Sequence, residues 1–274
     1  SHQSLPSSSP LQGLSHLSSA FTLLDFPLFP GIMFPYIKAM TDTKILEKLW
    51  YSPKTGYTGL NKLYDKAKEF GIPKKDVIEF LKKQEAYQLT KIQQTRKKSL
   101  LPIIGLPGTY QADLMFMERY RSQNRNFAII LVIIEMTSRM AYAYPMKKKS
   151  ETPEMFEQFL KDIAGEINML NTDNGSEFTS KRFKNLLKDY GIQHRLAETG
   201  DHTKQGKIER FIRTLRSLIN KYFTASNTTN WIDVLDDLMD NYNNTKHSAT
   251  GYRPESVTEK EEHIIRESGL HQKP

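Results

Sequence analysis

Residues 110–145 read YQADLMFMERYRSQNRNFAIILVIIEMTSRMAYAYP, and the fold class turns on them. The middle of the stretch, Phe127–Met136, is nearly all apolar and rich in β-branched residues, as a strand covered on both faces requires. Tyr110–Met117 before it and Arg139–Pro145 after it are also strand-like, the second entered through a tight Thr-Ser turn. Downstream the pattern alternates. Thr152-Pro153 opens a predicted helix over 152–164, with Met155, Phe156, Phe159, Leu160 and Ile163 inward. Ile167–Leu170 is a short strand running into Asn171-Thr172-Asp173. A helix over about 177–189 ends at Gly191, Ile192–Leu196 is a fifth strand, and long helices follow over about 205–223 and 230–243. Three consecutive strands, then helix and strand in alternation, then helices predict an α/β layered domain.

Upstream the chain reads differently. Ile45, Leu46, Leu49 and Trp50 mark an amphipathic helix, and Leu60, Leu63, Tyr64 and Ala67 a second, stopped by Gly71. Pro73 opens a third, with Val77, Ile78, Phe80 and Leu81 on its apolar side. The turn Phe70-Gly71-Ile72-Pro73 between short helices suits a helix-turn-helix, with Lys74, Lys75, Lys82 and Lys83 on the last helix as candidate DNA contacts. The net charge of +8 is concentrated here, since residues 40–108 hold 14 Lys/Arg against 7 Asp/Glu while residues 109–274 hold 24 against 23. A polyanion-binding module ahead of a near-neutral domain is the economical reading; a solvated lysine-rich surface is the plain alternative.

The 274 residues therefore divide into a Ser- and Pro-rich leader or disordered tail (1–39), a basic helical module (40–98), a linker (99–108), a core (109–262) and a tail (263–274). Pro30 and Pro35 are among five prolines expected to break any regular element in the leader. No run approaches the ~20 apolar residues that cross a bilayer. With no cysteine, disulfides and every zinc site that uses Cys are excluded, and no zinc is expected.

Three acids stand out. Asp113 lies mid-strand between Ala112 and Leu114, where a carboxylate is costly unless compensated. Asp173 sits just past a strand, in Thr-Asp-Asn-Gly-Ser-Glu-Phe, and Glu209 begins the polar side of an amphipathic helix. The spacing is D-x59-D-x35-E. Carboxylates from two strands and one helix can converge at a sheet edge, and three hard oxygen donors suit Mg²⁺ or Mn²⁺. Singly, each has a plainer account, as a turn former or a solvated helix residue. On the helix, Ile208, Phe211, Ile212, Leu215, Leu218 and Ile219 gather on one side, with Glu209, Arg213, Arg216 and Asn220 opposite.

Gln-Ala-Asp113-Leu, residues 172–178 and Lys-Ile-Glu-Arg-Phe-Ile-Arg-Thr-Leu (207–215) resemble the catalytic core of retroviral-type DDE integrases, and the gap of 35 is that family's spacing. Tyr51-Ser-Pro-Lys, Lys62-Leu-Tyr and Phe80-Leu-Lys-Lys-Gln-Glu-Ala-Tyr resemble the amino-terminal region of Polinton/Maverick and virophage integrases. The resemblance implies an RNase H-like core in which Asp113, Asp173 and Glu209 are catalytic and hold two Mg²⁺ or Mn²⁺ ions. It implies hydrolysis of the ends of an element's DNA, then attack of the new 3′-hydroxyls on target DNA, by a dimer or tetramer. Partners would be double-stranded DNA and further copies of the chain, with no membrane, in a eukaryotic nucleus or a virion. Lys204, Lys207, Arg213 and Arg216 are the expected DNA contacts near the acids. An HHCC zinc module, common in relatives, is missing. Two other readings share the core: a domesticated DNA- or chromatin-binding relative without catalysis, and an RNase H-like nuclease without strand transfer.

His194, His202 and His247 have no metal spacing with one another and are read as structural or surface residues. Lys147-Lys148-Lys149 is open between a nuclear signal or DNA contact and a solvated strand end.

Overall fold

The computed structural model describes residues 30–90, 105–106, 108–163, 165–197 and 205–270. The chain divides into two compact units, Ser1–Thr41 and Asp42–Pro274. Of the first, the described part is the start of helix α1 (Pro30–Trp50). This corrects the expectation that residues 30–39 lack regular structure. Pro30 is the first helical residue, where a missing N–H costs nothing. Pro35 forfeits one backbone bond, and the helix runs on past it.

In the second unit, α2 (Leu60–Ala67), α3 (Lys74–Lys83) and α4 (Glu85–Leu89) follow α1. A single 3₁₀ turn and Gly71, at φ 71°, separate α2 from α3. Then come β1 (Thr109–Phe116), β2 (Ile129–Glu135), β3 (Ala141–Met146), α5 (Thr152–Asp162) and β4 (Met169–Thr172). The chain continues through α6 (Ser176–Thr179), α7 (Lys181–Asp189), β5 (Gln193–Leu196), α8 (Gly206–Ser226), α9 (Leu235–Asn243) and α10 (Glu259–Leu270). The helix expected over 177–189 is thus two, broken at Ser180, whose hydroxyl caps α7 by accepting from the Phe183 N–H. The boundary drawn at 262 falls inside α10.

The sheet order is β3-β2-β1-β4-β5, with β1, β2 and β3 antiparallel and β4 and β5 parallel to β1. Helices cover both faces, and the fold is α/β and RNase H-like. Strand β2 shows why its sequence is unbroken apolar: Ile129, Leu131 and Ile133 pack with α5 and α7, whereas Ile130, Val132 and Ile134 pack with α8 and α9.

The helical segment 42–90 shares that second core. Trp50, Leu63, Val77 and Leu81 are buried in one cluster with Phe211, Leu215, Trp231 and Leu238. Polar contacts seal the seam: Lys221 Nζ donates to the Tyr57 carbonyl (2.7 Å), and Asn241 Nδ2 to the carbonyls of Pro53 (3.1 Å) and Gly56 (2.8 Å). The basic helices and the layered domain therefore have one continuous interior.

Candidate acidic site

Alternation along β1 sends Tyr110, Ala112 and Leu114 into the α5/α7 side and Met115 into the α8 side. Asp113 pairs directly with Val132, whose side chain packs on the α8 side, so its carboxylate faces α8. Two residues earlier, Gln111 Oε1 accepts the Ile208 N–H at 2.9 Å. That bond pins the first turn of α8 to β1 and brings Glu209, the next residue, to Asp113. In the parallel pair, Gln111 lies opposite Asn171, so two residues further on Asp173 leaves β4 beside Asp113. Strand register and this one bond bring Asp173 and Glu209 into the neighbourhood of Asp113.

Their electrostatics agree. Burial pushes the Asp113 carboxyl up to about 6; the Leu114 N–H opposes this with a 2.7 Å bond, and the charges of Asp173, Glu177 and Glu209 raise it further. Asp173 Oδ1 accepts the Gly175 N–H at 3.0 Å. Glu209 is exposed on its helix. The fourth acid, Glu177, belongs to the same seven-residue motif as Asp173 and was not singled out by sequence reasoning. Its side chain is only 5% exposed and lies 3.6 Å from Lys149 Nζ, which also sits over the Phe116 ring. A Cβ at Gly175 would meet the Glu177 carboxyl at 2.8 Å and Asp173 Oδ1 at 3.0 Å, so both acid side chains close on this glycine. Gln111 was missed as well, since nothing in a lone Gln announces a bond to residue 208.

An excess of clustered oxygen donors with one lysine among them suits a hard divalent cation. Among the described residues no three acidic or histidine side chains already surround a single point. The donor set and charge fit a metal; the arrangement of side chains is not a closed cage.

The remaining candidates separate by exposure. Arg213, Arg216, Lys74, Lys75, Lys82 and Lys83 all lie exposed, and the α8 apolar side is buried as predicted apart from half-buried Ile212. Lys207 differs from expectation. Its ammonium donates to the Met136 carbonyl at 2.7 Å, and burial, with Arg139 nearby, lowers its pKa to about 7. A lysine so placed anchors the α8 amino end rather than facing a ligand. Lys204 and His202 lie outside the described residues. His194 meets Thr172 Oγ1 at 2.9 Å, and His247, held down to about 4 by burial, packs edge-on against Tyr242.

Residues 107–202 match the family model described as the integrase core domain. A transposon-derived protein of Caenorhabditis elegans is 28% identical over 143 residues, covering 52% of this chain and 49% of its own. The transposon Tf2-3 polyprotein of Schizosaccharomyces pombe is 24% identical over 135 residues, 48% of this chain and 10% of its own. The chain thus spans about half of one relative and a tenth of the other. Among solved structures, the catalytic core domain of BIV integrase aligns with TM-score 0.46 and 22% identity, over 57% of this chain and 97% of that one.

Proposed function

We propose that the chain is a mobile-element or viral DNA integrase that uses Asp113, Asp173 and Glu209 to trim the ends of element DNA and join them to a target. The observation that supports this is that Asp173, Glu177 and Glu209 all lie close enough to Asp113, on the central strand, to add to the burial that holds its carboxyl up at about 6. Such uncompensated charge is costly to the fold and useful only if a cation or a proton relieves it.

Bound there, two Mg²⁺ or Mn²⁺ ions would supply Lewis acidity to an attacking oxygen and to the leaving oxygen of a phosphodiester. The residues of the chain do the rest. Gln111 fixes α8 against β1, and Lys149 steadies Glu177 beside Asp173. Arg213 and Arg216, one and two turns beyond Glu209, face outward to hold DNA phosphates. Polinton-like ancestry, assembly as a dimer or tetramer on paired DNA ends, and action in a host nucleus or from a virion belong to this proposal.

The test is incubation with labelled element ends and plasmid in Mg²⁺ or Mn²⁺. Shortened 3′ ends and joined products are expected. Asp113→Asn, Asp173→Asn and Glu209→Gln should each abolish both while the protein stays folded. Joining near wild-type level by Glu209→Gln would overturn the triad, and cleavage without joining would reduce the activity to that of a nuclease.

A further inference from the structure

Along α8, from Arg210 to Lys221, runs a cavity of about 450 Å³, walled by the helical segment, α8 and α9. Its lining includes Thr58, Lys62, Arg210, Arg213, Lys221 and Asn241, and no acid. Lys221 is tied to the Tyr57 carbonyl, and Lys66 nearby to the Thr55 carbonyl at 2.6 Å. Lys62 differs: half-buried, its ammonium has neither a hydrogen bond nor an ion pair among the described residues. Thr58 is buried with its hydroxyl unpartnered. Burial lowers Lys62, and it lowers Lys66 and Lys221 to about 8, with Lys62 adding repulsion to both. Arg253 presses on Lys66 as well. Like charges gathered around a hole without a counter-charge are stabilised by whatever anion enters.

We infer that this cavity seats a backbone phosphate of duplex DNA, with Lys62 as its principal free cation. The choice of DNA follows from where the cavity lies. Arg213 lines it and also stands one turn from Glu209 on the exposed side of α8. From Glu209 to Lys221 is twelve residues, or about 18 Å of helix. That matches roughly five base pairs of duplex at 3.4 Å each. One strand whose end lies at the acids can therefore pass Arg213 and reach Lys62. The inference rests on the integrase reading and adds to it a contact from the helical segment.

The test measures binding of the full chain to a labelled blunt duplex across a salt series. Lys62→Met keeps the aliphatic stem and should reduce the magnitude of the log K against log salt slope by about 0.9, one phosphate contact. Lys62→Arg should restore it. Lys188→Met, an exposed lysine of α7 on the opposite sheet face, should leave the slope unchanged. A Lys62→Met slope equal to wild type overturns the inference. So does pyrophosphate raising the melting temperature of wild type but not of Lys62→Met while the duplex slopes coincide, because the ligand is then a small free anion. The two proposals fail separately. If the triad variants still join DNA but Lys62→Met lowers the slope, the catalytic reading falls alone; if they are dead and the slope holds, the phosphate seat falls alone.

Discussion

Two stretches of helix α8 carry opposite problems. Near its start, Asp113, Asp173, Glu177 and Glu209 crowd together with Lys149 as the ion partner of one of them. Further along it, Lys62 repels both Lys66 and Lys221, with no acid acting on the three. Each cluster is a cost to the folded chain that a ligand of the opposite sign removes. They differ in how they are built. The acidic corner comes mostly from the sheet and the adjacent turn of a helix pinned to it, whereas the cationic cavity joins segments some 160 positions apart through a packed interface.

The largest expected effect is at the acidic corner. Asp113→Asn should lower strand transfer at least about a thousandfold, since the three acids act as a unit, and should at the same time raise the melting temperature by removing a buried charge. Loss of activity through unfolding would instead lower it, so the melting curve distinguishes the two.

Next comes the interface that makes the cavity. Trp50→Ala should cost about 3–5 kcal/mol, as large-to-small changes in a packed core do. The loss should appear as a single cooperative transition in urea, because Trp50 shares its cluster with Phe211 and Trp231. Two separate transitions would mean that residues 42–90 fold as an independent module after all.

The layered fold was legible because β2 and α8 carry unambiguous periodicities, and the neighbourhood of Asp113, Asp173 and Glu209 because these acids sit in local motifs. Glu177 lay in plain view inside the motif of Asp173 but gained meaning only from its burial beside Lys149. Lys207 looked like a DNA contact because it precedes Glu209; only the Met136 carbonyl, 71 positions away, revealed otherwise. The segment 40–98 looked like a separate module because its charge differs from that of the core. Charge describes a surface, and the shared apolar interior under that surface follows no local rule. Pro35 misled for a related reason, as one lost bond does not end a 21-residue helix.

A pH effect should single out the cationic cavity. From pH 8 to 10 Lys66 and Lys221, at about 8, lose their remaining protons in the folded chain, yet stay mostly protonated when unfolded. The unfolded state then binds more protons, so stability should rise across this window, by on the order of 1–3 kcal/mol. Duplex binding should weaken over the same range as the cavity loses charge. Urea denaturation and duplex titration at matched ionic strength would measure both, and a stability falling from pH 8 to 10 would argue against buried, unpaired lysines. The smallest effect is expected at the rim. Lys82→Ala with Lys83→Ala should weaken duplex binding a few-fold and leave the melting temperature unchanged, since both side chains are exposed.

The central claim is that the acids at residues 113, 173 and 209 form a cation site, and calorimetric titration of the folded chain with Mn²⁺ tests it most directly. Wild type should bind, and Asp113→Asn and Glu209→Gln should each lose most of the heat while melting as folded proteins. Equal binding by wild type and both variants, or no binding by wild type at millimolar Mn²⁺, would contradict the account.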